Sequence, residues 1–139
     1  MQPHLNPKSR IDQFRAAAMA VRGAFGLPAH GLYGVLLLDA LGTIGYCNED
    51  FARMTGLATA DLLGAEINDV IPDLPLSCKS AEFNRAVVRS KFADGEWCGY
   101  SLRGRGGARR QVELRVSLIR LEDGSDALVL EATFAAGPR

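Results

Sequence analysis

Between Tyr33 and Gly64 nearly every residue has a local structural job, and no other part of the chain restricts the fold as much. Val35 to Leu38 is a short apolar run that ends at Asp39, which predicts a buried strand. Ala40 to Gly42 has the composition of a tight turn, and Thr43 to Cys47 is a second strand-length segment, so the two form a hairpin. Asn48 stands where a helix needs its N-cap, with Glu49 and Asp50 in the first turn facing the positive end of the helix dipole. Phe51, Met54 and Thr55 follow at helical spacing, and Gly56 stops the turn. Thr59 is expected to cap a second short helix, Ala60 to Leu63, closed by Gly64.

On the N-terminal side, residues 1 to 8 carry two prolines and no periodicity, and read as a disordered tail. Ser9 and Asp12 form a capping pair for an amphipathic helix within residues 9 to 26. Its stripe is Ile11, Phe14, Ala18, Val21 and Phe25, spaced by 3, 4, 3 and 4 residues. Two heptads are too few for a free-standing coiled coil, and an isolated helix of this length is marginal in water. The stripe is therefore expected to be buried, on the chain's own sheet or on the same helix of a second subunit.

On the C-terminal side, Ala65 to Leu76 predicts a helical turn and then an irregular loop broken by Pro72 and Pro75. Ser80 caps a longer helix, Ala81 to about Phe92, with Phe83, Ala86 and Val87 on its apolar side, and Asp94-Gly95 ends it. Three strands follow, Glu96 to Arg103, Arg110 to Leu121 and Ala127 to Phe134. The middle one sets Val112, Leu114, Val116 and Leu118 against Gln111, Glu113, Arg115 and Ser117, the alternation of a half-buried antiparallel strand. The last, with Leu128, Val129 and Leu130 consecutive, is expected to be buried on both faces. Residues 135 to 139 form a short C-terminal tail.

The 139 residues are one domain's worth of chain, and 16 acidic and 16 basic residues cancel, so no global field draws it to nucleic acid or an anionic membrane. The charges are unevenly spread. Residues 49 to 73 hold six acids and one base, and residues 103 to 120 hold six arginines and one acid. Such runs are solvated surfaces or, in the sharper reading, complementary faces for a partner or a second subunit. Three cysteines without a CxxC pair argue against a disulfide framework or a structural zinc. With no span-length apolar run and no signal-peptide core, the expectation is a soluble, cytoplasmic protein.

Catalytic arrangements are hard to draw. His4 and His30 lie outside the predicted core, and the Gly104–Gly107 run joins two strands and lacks the Lys-Ser/Thr of a phosphate loop. A general base would have to be Glu113 or Glu131 facing a cavity, and the alternation turns Glu113 to solvent.

The order strand, turn, strand, capped helix, capped helix resembles the first half of a PAS domain, the sensor module of many signalling proteins. The resemblance is carried by the Asp39–Gly42 turn, Asn48 with Phe51, Met54-Thr55-Gly56, and Asp61-Leu62-Leu63-Gly64. It extends over residues 30 to 134, since a helix and three strands complete the family's pattern and Trp97 followed by Gly99 matches its third strand. Tyr100, where the family often has Glu, and Leu121, where an acid is usual, depart from it. The implied fold is α+β, a five-stranded antiparallel sheet with short helices on one face and an N-terminal amphipathic helix. The implied function is a non-catalytic sensor or dimerisation module in signal transduction or transcriptional regulation. The alternative is a small α+β isomerase or hydrolase using a buried carboxylate.

Against the family's cofactors, residues 80 to 94 hold no histidine for haem, and Cys47-Asn48-Glu49-Asp50 replaces the Asn-Cys-Arg-Phe motif of flavin-binding light-oxygen-voltage domains. Cys78 lies near the chromophore cysteine of photoactive yellow protein, but that protein's Tyr and Glu partners would fall at Cys47 and Phe51. No cofactor is therefore expected. A pocket, if open, would be lined by Leu36, Leu38, Phe51, Thr55, Ile67, Phe83, Val87, Val112, Leu114 and Val116, suiting a small apolar or aromatic molecule. The same residues would otherwise pack as core. The partners implied are a second copy, through Ile11, Phe14, Ala18, Val21 and Phe25, and an effector such as a histidine kinase or transcription regulator. Neither direct nucleic-acid contact nor membrane contact is expected.

Overall fold

The structure is a computed structural model, and it describes residues 31–134. Five strands form one antiparallel sheet: β1 Tyr33–Asp39, β2 Ile44–Cys47, β3 Cys98–Arg103, β4 Arg109–Arg120 and β5 Asp126–Phe134. Their order across the sheet is β2-β1-β5-β4-β3, so the last strand fills the centre and joins the N-terminal hairpin to the C-terminal one. Between β2 and β3 run four helices: α1 Glu49–Thr55, α2 Thr59–Leu62, α3 Ile67–Val70 and α4 Ala81–Lys91. This is the α+β architecture expected from the sequence; the expected helix of residues 9 to 26, with its stripe, lies outside the described residues.

The first hairpin closes as the turn residues require. Asp39 Oδ1 accepts from the backbone N–H of Leu41 and of Thr43, both at 2.9 Å, which tightens the chain reversal. A register shift between Leu37 and Leu38 bends β1 against β2. The outer edge of β2 is occupied, because Ile44 exchanges backbone hydrogen bonds with Ala65 and Gly64 at 2.8 Å each. The start of that edge is thereby paired within the chain.

α1 begins as predicted, with the Asn48 side chain accepting from Phe51 N–H at 2.9 Å, and Gly56 ends it in left-handed conformation. α1 lies directly on β1 because Gly34 has no side chain. A Cβ there would come within 2.8 Å of the Phe51 ring and 3.0 Å of the Met54 sulfur. α2 starts one residue earlier than expected. Ala58 is the extended residue before it and makes no side-chain cap, so Thr59 is not the N-cap. Thr59 instead acts on the Cys47 thiol, lowering its pKa against the effect of burial.

α4 is capped by Ser80, whose Oγ accepts from Phe83 N–H at 3.1 Å, but its buried face differs from the expected one. Asn84 and Val88 are its buried residues, with Phe92 just beyond, whereas Phe83 is 50 % exposed, Ala86 is exposed and Val87 half-buried. The register is set by a polar residue. Asn84 Oδ1 accepts from Ser77 N–H at 2.7 Å, and its Nδ2 donates to the carbonyls of Ser77 and Ala40, both at 2.8 Å. Both amide hydrogens and the amide oxygen are engaged, which makes complete burial of an amide tolerable. They also tie α4 to the β1–β2 turn.

Asn84→Ala is expected to leave three backbone groups short of a partner and to lower unfolding stability by about 2–3 kcal/mol. Urea denaturation checks this; a loss below about 0.5 kcal/mol would show that water replaces the amide without cost.

Candidate functional site

Strand periodicity gives the sheet two different faces. On the helix side, Leu36 and Leu38 of β1, Val112, Leu114 and Val116 of β4, and Leu128 and Leu130 of β5 meet Phe51, Met54, Leu62, Ile67 and Val88 from the helices. Of the residues projected to line a pocket, Leu36, Leu38, Phe51, Ile67, Val112, Leu114 and Val116 are brought together in this cluster, and Val87 packs against its margin. Phe83 lies outside it, on the exposed side of α4. Thr55 is buried, but its hydroxyl donates to Ala52 O at 2.9 Å and accepts from Leu57 N–H at 3.0 Å, so it serves the end of α1.

The other face carries a second cluster, Tyr33, Val35, Leu37, Leu121, Ala127 and Val129, with Tyr46 and Ile119 at its border. No helix among the described residues contributes to it. At its centre is a charge. Glu131 is fully buried, paired across the sheet with Arg115 on one side and Val35 on the other. Its Oε1 accepts from Arg115 Nε at 3.0 Å, and Oε2 accepts from Arg115 Nη2 at 3.3 Å and from the Tyr33 hydroxyl. The Arg115 guanidinium lies 4.6 Å over the Trp97 ring, and Trp97 meets Tyr33 edge-on with ring centroids 6.4 Å apart. A two-pronged arginine, a phenol and an aromatic plane are what an ion pair needs to survive out of water.

The electrostatics follow from this arrangement. Burial, then the hydrogen bond and charge of Glu131, push the Tyr33 phenol up to about 12. Burial works against the Arg115 cation, but the hydrogen bond and charge of Glu131 outweigh it and hold its pKa above the ordinary value. Burial raises the Cys47 thiol, against the Thr59 hydrogen bond. Burial, then the neighbouring Cys98, raises Tyr100.

Glu131 had one earlier candidate role, as a general base in a cavity. It is inside the protein, as that role requires, but both its oxygens are engaged by Arg115 and Tyr33. Glu113 is exposed. Among the described residues no group of three or more His, Cys, Asp or Glu side chains is placed to hold a metal ion. The Tyr33–Glu131–Arg115–Trp97 constellation was not foreseen as a unit. A signal was available in the sequence, a Glu in mid-strand between Leu130 and Ala132, which demands a partner once that strand is central.

A five-stranded antiparallel sheet with its helices on one face and its closing strand in the centre defines an α+β class of fold. The sequence profile described as PAS fold matches residues 33–130, and the chain belongs to the PAS family. It is similar in structure to the PAS domain of an HTR-like protein from Haloarcula marismortui, at 21% identity and a TM-score of 0.58, covering 92% of this chain and 99% of that one. A PAS domain from a two-component sensor histidine kinase is similar at 16% identity and TM-score 0.61, covering 91% and 99%. The light-state dimer of the fungal blue-light photoreceptor Vivid matches at 20% identity and TM-score 0.55, covering 86% and 93%. No curated protein matches the sequence.

Because the folded Tyr33 pKa lies above the unfolded value of about 10, its contribution to stability is complete below about pH 10 and is lost as pH rises through about 12. Subtracting the tyrosinate absorbance titration of Tyr33→Phe from that of the parent isolates this group. A midpoint near 12 is expected, and one near 10 would dissolve the Tyr33–Glu131 pairing. Arg115→Ala leaves a buried carboxylate without its cation and is expected to cost about 3–5 kcal/mol in urea unfolding.

Proposed function

We propose that this PAS domain is a non-catalytic sensor and dimerisation module whose output leaves through the sheet face centred on Glu131. One observation carries the reading. Val35, Leu37 and Val129 on that face are fully buried, while all four described helices pack on the opposite face. An apolar sheet face requires a cover. The stripe Ile11, Phe14, Ala18, Val21 and Phe25 has the composition and spacing to supply one, on its own sheet and against the same stripe of a second copy. The similarity to a light-state dimer and to a PAS domain of a sensor histidine kinase supports a paired, signalling arrangement. On this reading residues 9–26 belong to the interface and residues 30–134 to the sensor.

The helix-side cluster is the input end. Its lining is apolar apart from Thr55, so a molecule that enters there is small and apolar or aromatic. Binding would loosen or tighten the sheet against the interface helix and shift a two-state equilibrium in how two subunits dock. The effector would be a histidine kinase or a transcription regulator acting in the cytoplasm. No described helix is long and apolar enough to cross a membrane.

Sedimentation equilibrium of the full chain tests the interface. A dimer is expected, converted to monomer by Ile11→Glu with Phe14→Glu while the circular dichroism of the sheet persists. A monomeric parent protein, or a dimer indifferent to both charges, would overturn the reading. Mass and absorption spectra of protein purified from its native host test the input, with a bound small apolar molecule expected.

A further inference from the structure

Four of the six arginines in the basic run are packed into eight residues, 103 to 110, where β3 turns into β4, and residues 97 to 112 contain no acid. Two of them, Arg103 and Arg109, are directly opposite each other across the hairpin. Like charges in that position destabilise a strand pair. Arg110 is opposite Leu102 and shares its helix-side face, so it points the other way from Arg103 and Arg109.

On the helix side the hairpin meets the end of α1. Gly104 makes the contact, since a Cβ there would lie 2.5 Å from the Thr55 carbonyl oxygen. Beside this contact is an open cleft of about 150 Å³, floored by Met54 and Leu102 and walled by Arg53, Arg105 and Arg110. Small residues, Gly56, Gly104 and Ala108, complete its lining.

We propose that this cleft binds the phosphate group of a small free anion. Three arginines from two separate elements line it, and planar guanidinium forks suit the paired oxygens of a phosphate. Their present partners are weak or missing. Arg53 shares Glu49 and Asp50 at 3.5 Å each with its side chain 64% exposed, and such pairs bind loosely in water. Arg105 makes no ion pair among the described residues, and Arg110 rests 5.4 Å over the Phe134 ring. The end of α1 adds a partial negative charge of about half a unit, which three full positive charges outweigh. Arg103 and Arg109, on the far side of the hairpin, add to the attracting field without lining the site. The size of the cleft suits a phosphate with a small organic remainder. The cleft opens at the margin of the apolar core, whose Met54 and Leu102 form its floor, so an anion here would bind at the edge of the input end proposed above.

Amide NMR titration of the full chain with inorganic phosphate, with glycerol phosphate, and with sodium chloride at matched ionic strength tests this. Saturable shifts confined to residues 53–56 and 102–110 are expected with the phosphates and not with chloride. Arg105→Glu and Arg110→Gln should each weaken binding about tenfold or more, while Arg120→Glu, at the opposite end of β4, should change it less than about twofold. Tighter binding of glycerol phosphate assigns the ligand as an ester, and tighter binding of inorganic phosphate assigns the free ion. Absence of saturation by about 10 mM, equal shifts with chloride, or equal sensitivity to Arg120→Glu would overturn the proposal.

Discussion

The carboxamide of Asn48 holds the helical layer to the sheet. Its Oδ1 accepts from Phe51 N–H at 2.9 Å, which starts α1, and from Val35 N–H at 3.0 Å, which belongs to β1. Its Nδ2 donates to Tyr33 O at 2.9 Å, and its own backbone N–H donates to Val35 O at 3.0 Å. A helix cap alone would use only the first of these bonds. The other three fix where the cap sits, so α1 emerges over Gly34, the one place on β1 where Phe51 and Met54 can descend onto the strand.

The same tie reaches through the sheet. Tyr33 gives its carbonyl to Asn48 and its N–H to Asp50 at 3.1 Å, both from the start of α1, while its hydroxyl reaches Glu131 on the opposite face. One residue therefore contacts the helix layer with its backbone and the outer polar cluster with its side chain. A displacement of α1 would be felt at Glu131 and Arg115 without any long chain of intermediates. An ion pair in apolar surroundings tolerates little misalignment, because its desolvation cost is recovered only in good geometry. On the proposed function the outer cluster would report what happens beneath the helices, since it lies on the face proposed to meet the interface helix.

Much of this was legible in the sequence, for identifiable reasons. Strand alternation in β4, the capped turn at Asn48 and the paired hairpin signals are local rules, and the structure obeys them to within one or two residues. Readings failed where a side chain took a tertiary partner. Asn84 looks like a polar interruption of α4, yet its bonds to Ser77, just ahead of the helix, and to Ala40 in the β1–β2 turn make it the buried position, with Phe83 outward. Thr59 has the chemistry of a cap but stands inside the helix, one residue after Ala58. Glu131 is legible as an anomaly in an apolar strand, and only the register across β4 and β1 reveals its partners. The arginine cleft needs the contact between Gly104 and Thr55, two residues far apart in the chain that no periodicity connects.

Equilibrium urea unfolding of Asn48→Ser beside Asn48→Ala tests the central claim most directly. Serine keeps a good N-cap but is too short to hold β1 as well, so it should recover only about 1 kcal/mol of a total loss near 3 kcal/mol. A serine variant as stable as the parent would contradict it, because Asn48 would then be an ordinary helix cap and the sheet would be held to its helices by apolar packing alone.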